Sequence, residues 1–277
     1  MTGTARQATP TAPFELAELE AKVKDMYRAV AQDPDGSYHF ELGRGLAERL
    51  GYPGSVLDAV PEAAVESFAG VGYFFDFAAL REGEEVLDLG SGSGMDVFVA
   101  ANQVGPSGRV AGIDMTREQH DKSEQLRVQG GFLQVSFTMG HIDNLPFDDA
   151  SFDVVVSNGV VNLAGDKARV FAEVVRVLRP GGRLAMADII AEIELTESIV
   201  TNTDLWASCI GGAAQQDAYQ EAIETAGLRL ELMKKNPYWF LSEQARDASA
   251  RYGVKSVSLL ASKPGSTMVG RRSVVTG

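Results

Sequence analysis

The segment VLDLGSGSGMD (86–96) sets Gly90, Gly92 and Gly94 directly after an apolar run and just ahead of a helical one. Glycine in that place permits a tight turn and lets backbone approach a ligand with no Cβ in the way. Asp88 stands in the run before the loop, Ser91 lies within it, and Asp114 follows Gly94 by 20 residues. An acid at that distance, ending a second strand, reaches the hydroxyls of a ribose. The chemistry implied is the binding of a ribose-bearing cofactor. A second stretch, SNGVVNL (157–163), ends another apolar run in Ser157, Asn158 and Gly159, small polar residues suited to hydrogen bonding where a strand meets a ligand. Asn162 then orients a substrate or fixes the loop. Two side chains qualify as general bases: Asp188 in MADII, which serves equally well as a cap on local backbone, and His141.

Elements must place these residues. Residues 1–13 are rich in Thr, Ala and Pro and read as disordered. Residues 14–80 read as a helical leader, with helices over 14–32, 41–52 and 61–70. From Glu84 the texture changes to alternating strands and helices. Strands are expected at 84–90, 109–115, 133–140, 152–160 and 182–190. The intervening helices include 116–129, with Thr116 as its cap, and 166–178, ended by RPGG. That alternation implies an α/β fold with a doubly wound, Rossmann-like parallel sheet over 81–190. Residues 191–263 add a helix (217–227) and two more strands (228–235 and 254–262). Residues 264–277 read as a loose tail.

Four motifs, VLDLGSGSG, GIDM, LPFDDASFDVVVSN and VLRPGGRL, follow one another at the intervals of a class I S-adenosylmethionine-dependent methyltransferase, which this chain resembles over roughly 84–190. The resemblance implies S-adenosylmethionine as cofactor. It assigns Asp88, Gly90, Ser91, Gly92 and Gly94 to the methionine part, Asp114 to the ribose, and Met115, Thr116 and the 140–143 stretch with His141, Ile142 and Asp143 to the adenine. Ser157 and Asn158 fall where the fourth strand meets the cofactor.

The chain is similar to the arsenite methyltransferase family over about 60–263, through PEAAVESFAGVG, SNGVVNLAGDKARVF, CIGGA and YGVKSVSLLASK. That family carries arsenic(III) on three thiolates, soft ligands for a soft centre. Two of the three cysteine positions are occupied here by Val71 and Gly159, and Cys209 is retained. The expectation is a methyltransferase acting on a small molecule at a soft heteroatom, with arsenite itself a doubtful substrate and Gly159 leaving a widened pocket. The alternative is C- or O-methylation of a quinone-like or specialised metabolite. Asp188, Cys209 and Asn158 are the catalytic candidates. Tyr27, Tyr73, Asn162, Trp206, Cys209 and Trp239 are candidates for the substrate pocket, although such an aromatic set equally suits plain core packing. The G-x-G-x-G spacing and the lack of a hydride-site signature weigh against a nicotinamide dehydrogenase. A silent cofactor-binding partner protein stays open.

Composition narrows the field further. The net charge of −13 argues against a nucleic acid partner or an anionic membrane surface. One cysteine excludes an internal disulfide, and the three histidines lie far apart, so no metal site is expected. No apolar run approaches the roughly 20 residues of a membrane span, and the N-terminus lacks a signal-peptide core, so a cytoplasmic protein is expected. Oligomeric state is not legible.

Overall fold

The computed structural model describes residues 16–36, 38, 40–202, 205–206 and 210–265. The expected disorder of 1–13, most of the expected tail, and Cys209 fall outside the described residues. Helices α1 (Leu16–Gln32), α2 (Gly43–Leu50), α3 (Gly54–Leu57), α4 (Glu62–Glu66) and α5 (Phe75–Ala78) form the leader. Strands and helices then alternate: β1 (Glu85–Leu89), α6 (Met95–Val104), β2 (Arg109–Asp114), α7 (Arg117–Gly130), β3 (Val135–Met139), β4 (Phe152–Asn158), α8 (Lys167–Val177) and β5 (Leu178–Ala191). The remainder holds α9 (Glu197–Val200), β6 (Ala214–Gln215), α10 (Gln216–Thr225), β7 (Arg229–Lys235), α11 (Glu243–Tyr252) and β8 (Lys255–Ser262). Among the described residues no helix is long and apolar enough to cross a membrane.

The sheet runs β3-β2-β1-β4-β5-β8-β7, with β6 beside the end of β5. Strands β1 to β5 are parallel, and β8 lies antiparallel between β5 and β7. The central strands are buried on both faces, which is why they read as continuous apolar runs. Side chains alternate between faces along each strand. Val86 packs with Val97 and Phe98 of α6, whereas Leu87 and Leu89 pack with Val170 and Phe171 of α8. Asp88 therefore shares the face of Val86, on the side of the leader. The strand order reverses between β1 and β4, and the crevice beyond their carboxyl ends is where open α/β sheets bind ligands.

Three details depart from the sequence reading. The RPGG stretch does not simply end a helix: it opens β5, and the β4–β5 pairing shifts register between Phe152 and Val154. Thr116 precedes α7 but makes no side-chain cap bond. The α11 helix was not foreseen.

Candidate active site

The glycine loop after β1 is built as the spacing demands. Gly90, Gly92 and Gly94 have φ of 67°, 52° and 94°. A Cβ on Gly90 would lie 2.5 Å from the Val160 methyls. Backbone N–H groups of Gly90 and Ser91 donate to the Ile113 carbonyl at 2.8 and 3.0 Å, tying the loop to β2. Asp114, at the end of β2, accepts from the Gly92 N–H at 2.9 Å and the Thr116 N–H at 2.8 Å. Both of its oxygens are thereby fixed at the edge of the crevice.

A cavity of about 260 Å³ opens there. Its floor is the glycine loop with Asp88, Asp96 and Asp114. One wall comes from Met115, Thr116 and the 140–143 turn, and another from Asn158, Val160 and 163–166. Leu19, Glu20, Val23 and Tyr27 of α1 close it from outside, with 67–70 beside them. The lid is held by α7: Gln119 accepts from the Ser93 hydroxyl at 2.6 Å and donates to the Tyr27 carbonyl at 2.9 Å.

The cavity is acidic and dry. Asp88 is 3% exposed. Burial, and then the charges of Asp96 and Asp114, push its carboxyl well above the usual range. Among the described residues no donor reaches it. Asp96 accepts from the Tyr52 hydroxyl at 2.6 Å and from Asn158 Nδ2 at 3.0 Å. Burial raises its carboxyl to about 6, with those two donors opposing. Asn158 also clamps the loop before the core: its Oδ1 accepts from Val71 N–H at 2.7 Å and Gly72 N–H at 3.2 Å, and its Nδ2 donates to the Gly72 carbonyl at 3.0 Å.

Of the residues singled out from the sequence, Tyr27, Asp88, Gly90, Ser91, Gly92, Asp114, Met115, Thr116, His141, Ile142, Asp143 and Asn158 line this cavity. Others do not. Gly94 packs against Phe98 and Phe137. Ser157 points to the opposite face of β4 and donates to the Leu89 carbonyl at 3.1 Å. Asp188, proposed as a base, is fully buried behind the cavity, accepting from Tyr219 Oη at 2.5 Å and from the Ile189 N–H at 2.9 Å. Its place is structural, beside Lys167, whose ammonium burial pulls down to about 8. Asn162 is buried against Gly212, where a Cβ would lie 1.9 Å from its carbonyl oxygen. Trp206 is buried under Lys167 Nζ, 4.9 Å from its ring. Tyr73 packs edge-on to Tyr52 at 4.8 Å. Trp239 is 60% exposed and stacks on the Arg49 guanidinium at 4.5 Å, away from the cavity. The widened pocket at Gly159 is also corrected. Gly159 does not line the cavity, and a Val71 methyl lies 3.2 Å from where its Cβ would stand. Asp96, Gln119 and Asp166 are the lining residues that sequence reasoning missed. The acid directly after the glycine loop was the one available signal, and it reads as an ordinary first-turn helix acid.

A sheet of this order, with a glycine turn after β1, an acid ending β2 and a crevice at the switch point, is the fold of the class I S-adenosylmethionine-dependent methyltransferases. Residues 80–227 match the family model described as "Methyltransferase domain", and the chain belongs to that family. It is similar to the arsenite methyltransferase of Halobacterium salinarum, 38% identical over 79% of this chain and 56% of that protein. It is also similar to the human arsenite methyltransferase, 43% identical over 46% of this chain and 36% of that protein. The chain thus spans about half, or less, of the length of these curated relatives. A solved structure of an arsenic(III) S-adenosylmethionine methyltransferase from Chlamydomonas reinhardtii superposes with a TM-score of 0.60 at 29% identity, covering 80% of this chain and 74% of that one. The cofactor of the class is S-adenosylmethionine. The donor set suits it, because a cationic amino acid–nucleoside meets the unpartnered, buried Asp88 and the fixed carboxylate of Asp114.

Proposed function

We propose that this chain transfers a methyl group from S-adenosylmethionine to a small molecule at a soft heteroatom: a thiol, thioether, selenol or arsenic-like centre, with arsenite itself a poor acceptor. The observation that carries the second half is the contact between Val71 and Gly159. In the family the chain resembles, both positions are thiols. Here they are an aliphatic side chain and a glycine packed together, leaving Cys209 alone at the third position. A single thiol cannot make a two- or three-sulfur arsenic site.

In this reading residues 81–190 bind the cofactor, 191–263 face the acceptor and 14–80 cap the site, in a cytoplasmic protein. Bound S-adenosylmethionine supplies an electrophilic methyl group on a sulfonium. Asp88 and Asp96 face its ammonium end and Asp114 its ribose. The turn 140–143 and Met115 border its adenine, and Tyr27 closes over it. No Lys or Arg lines the cavity, so backbone N–H groups of the glycine loop must meet its carboxylate. Asn158 holds the 70–72 loop against the end of β4, where an acceptor in line with the methyl would enter.

Thermal unfolding with S-adenosylmethionine, S-adenosylhomocysteine and NAD tests the cofactor. A ligand that binds only the folded state adds about 2.7 kcal/mol at a hundredfold excess over its dissociation constant. Stabilisation by NAD alone would overturn the proposal. Mass detection of methylated products from thiols, thioethers, selenols and arsenite with glutathione tests the acceptor. Fast formation of methylated arsenicals contradicts the second half.

A further inference from the structure

The charges around the cavity are one-sided. Glu20, Asp88, Asp96, Asp114, Asp143 and Asp166 line it, His141 joins them, and no Lys or Arg does. The undescribed stretch nearest the acceptor side, 203–209 (TDLWASC), contains neither. The cations bonded to lining residues are already engaged. Lys122 donates to Ser67 Oγ at 2.6 Å and to the Ala31 carbonyl at 3.2 Å. Lys167 donates to the Ala164 carbonyl at 3.0 Å and lies in the interior beside Asp188. Asp88 adds an independent sign: it is 97% buried, faces the cavity, and has no hydrogen-bond donor among the described residues.

Backbone donors on the acceptor side are also taken. The N–H groups of Val71 and Gly72 go to Asn158, and that of Gly159 goes to the Ala187 carbonyl at 2.8 Å. Those of Leu163 and Ala164 close the turn on Val160 and Val161. The start of α8 is capped by its own Asp166, which accepts from the Arg169 N–H at 3.0 Å. An anionic group on the acceptor would lose its water here and find carboxylates instead of donors.

Resting on the methyltransferase reading above, we infer that the acceptor is uncharged or cationic at the site and carries no carboxylate or phosphate. The acceptor's lone pair forms the new bond to the methyl carbon. The electron pair of the broken carbon–sulfur bond stays on sulfur, and the positive charge passes to the acceptor atom. A thioether or selenoether leaves as an onium ion. A thiol or amine gives up its proton to a lining carboxylate or to water. The surrounding acids accommodate the charge on either side of the transfer, whereas an anionic group never finds a partner.

Calorimetric titration with three cofactor analogues tests this. Each has nitrogen in place of the sulfonium and a short arm in place of the methyl, ending in an amide, an ammonium or a carboxylate. The amide and carboxylate arms are nearly the same size, so charge alone separates them. The amide and ammonium arms should bind at least about tenfold more tightly than the carboxylate arm. Equal or tighter binding of the carboxylate arm overturns the inference while leaving the methyltransferase reading intact. Failure of all three arms and of S-adenosylmethionine to bind overturns that reading and this one with it.

Discussion

At Val71 and Gly159 the chain departs most clearly from the family it resembles, and the structure gives the departure a physical form. The two residues touch, so thiols at both positions would be neighbours. Gly159 has φ of 73°, where a side chain costs roughly 1–2 kcal/mol. The double variant Val71→Cys with Gly159→Cys should retain at least about tenfold more arsenic(III) than the unaltered protein after gel filtration, since soft centres prefer thiolates. Equal retention would show that the loss of these thiols is not what separates this chain from the arsenite enzymes. Asn158 carries a different kind of weight. Its one amide joins the 70–72 loop, Tyr52 and Asp96. Asn158→Ala should lower the unfolding free energy by about 3 kcal/mol, read by chemical denaturation, because it leaves several buried groups unpaired. The sequence marked Asn158 as a residue at the cofactor's edge, but its clamp on a loop more than 80 positions earlier is a long-range contact that no local pattern encodes. The same limit hid Asp96, whose partner Tyr52 comes from the leader.

At the level of elements, periodicity was a good guide wherever burial was two-sided. The apolar runs at 85–89, 109–114 and 152–158 are legible because both faces of those strands are covered. The α11 helix, EQARDASARY, was missed because alanines and a single tyrosine supply its buried face, which leaves almost no apolar contrast. The association of α1 with α7 was also illegible. Helix α7 buries only Gln119 and Ser123, and it meets the lid through polar bonds instead of an apolar stripe. Gln119 is the central one, joining the glycine loop through Ser93 to the lid through the Tyr27 carbonyl. Gln119→Ala should therefore weaken S-adenosylmethionine binding several-fold in calorimetry and lower stability by about 1–2 kcal/mol. Arg28→Ala, which removes only the exposed pair with Glu118 at 2.9 Å, is the matched control and should leave affinity unchanged. If the two variants behave alike, the lid is not held through Gln119.

For the molecule as a whole, acidity is distributed between surface and interior, and only the interior part has a pH signature tied to the site. The net charge of −13 was read from composition, but composition could not say that Asp88, Asp96 and Asp114 would be gathered in one buried cavity. Burial raises Asp96 to about 6, above its ordinary value of 3.8. The folded state therefore binds a proton more tightly than the unfolded chain. That contribution to stability is present in full below about pH 4 and is lost as pH rises through about 6. The shift corresponds to about 3 kcal/mol. Without cofactor, the stability of the unaltered protein relative to Asp96→Asn should fall by up to about 3 kcal/mol between pH 4 and pH 7, as followed by denaturation at each pH. Asp88, raised by the same burial, acts in the same direction. Saturating S-adenosylmethionine should shrink the fall, because its positive charge favours the ionised carboxylates. By the same linkage, its affinity should weaken as pH drops below 6. A difference between protein and variant that stays flat from pH 4 to pH 7, with or without cofactor, would mean that these carboxylates are ionised without strain and that the cavity does not depend on a cation to hold them.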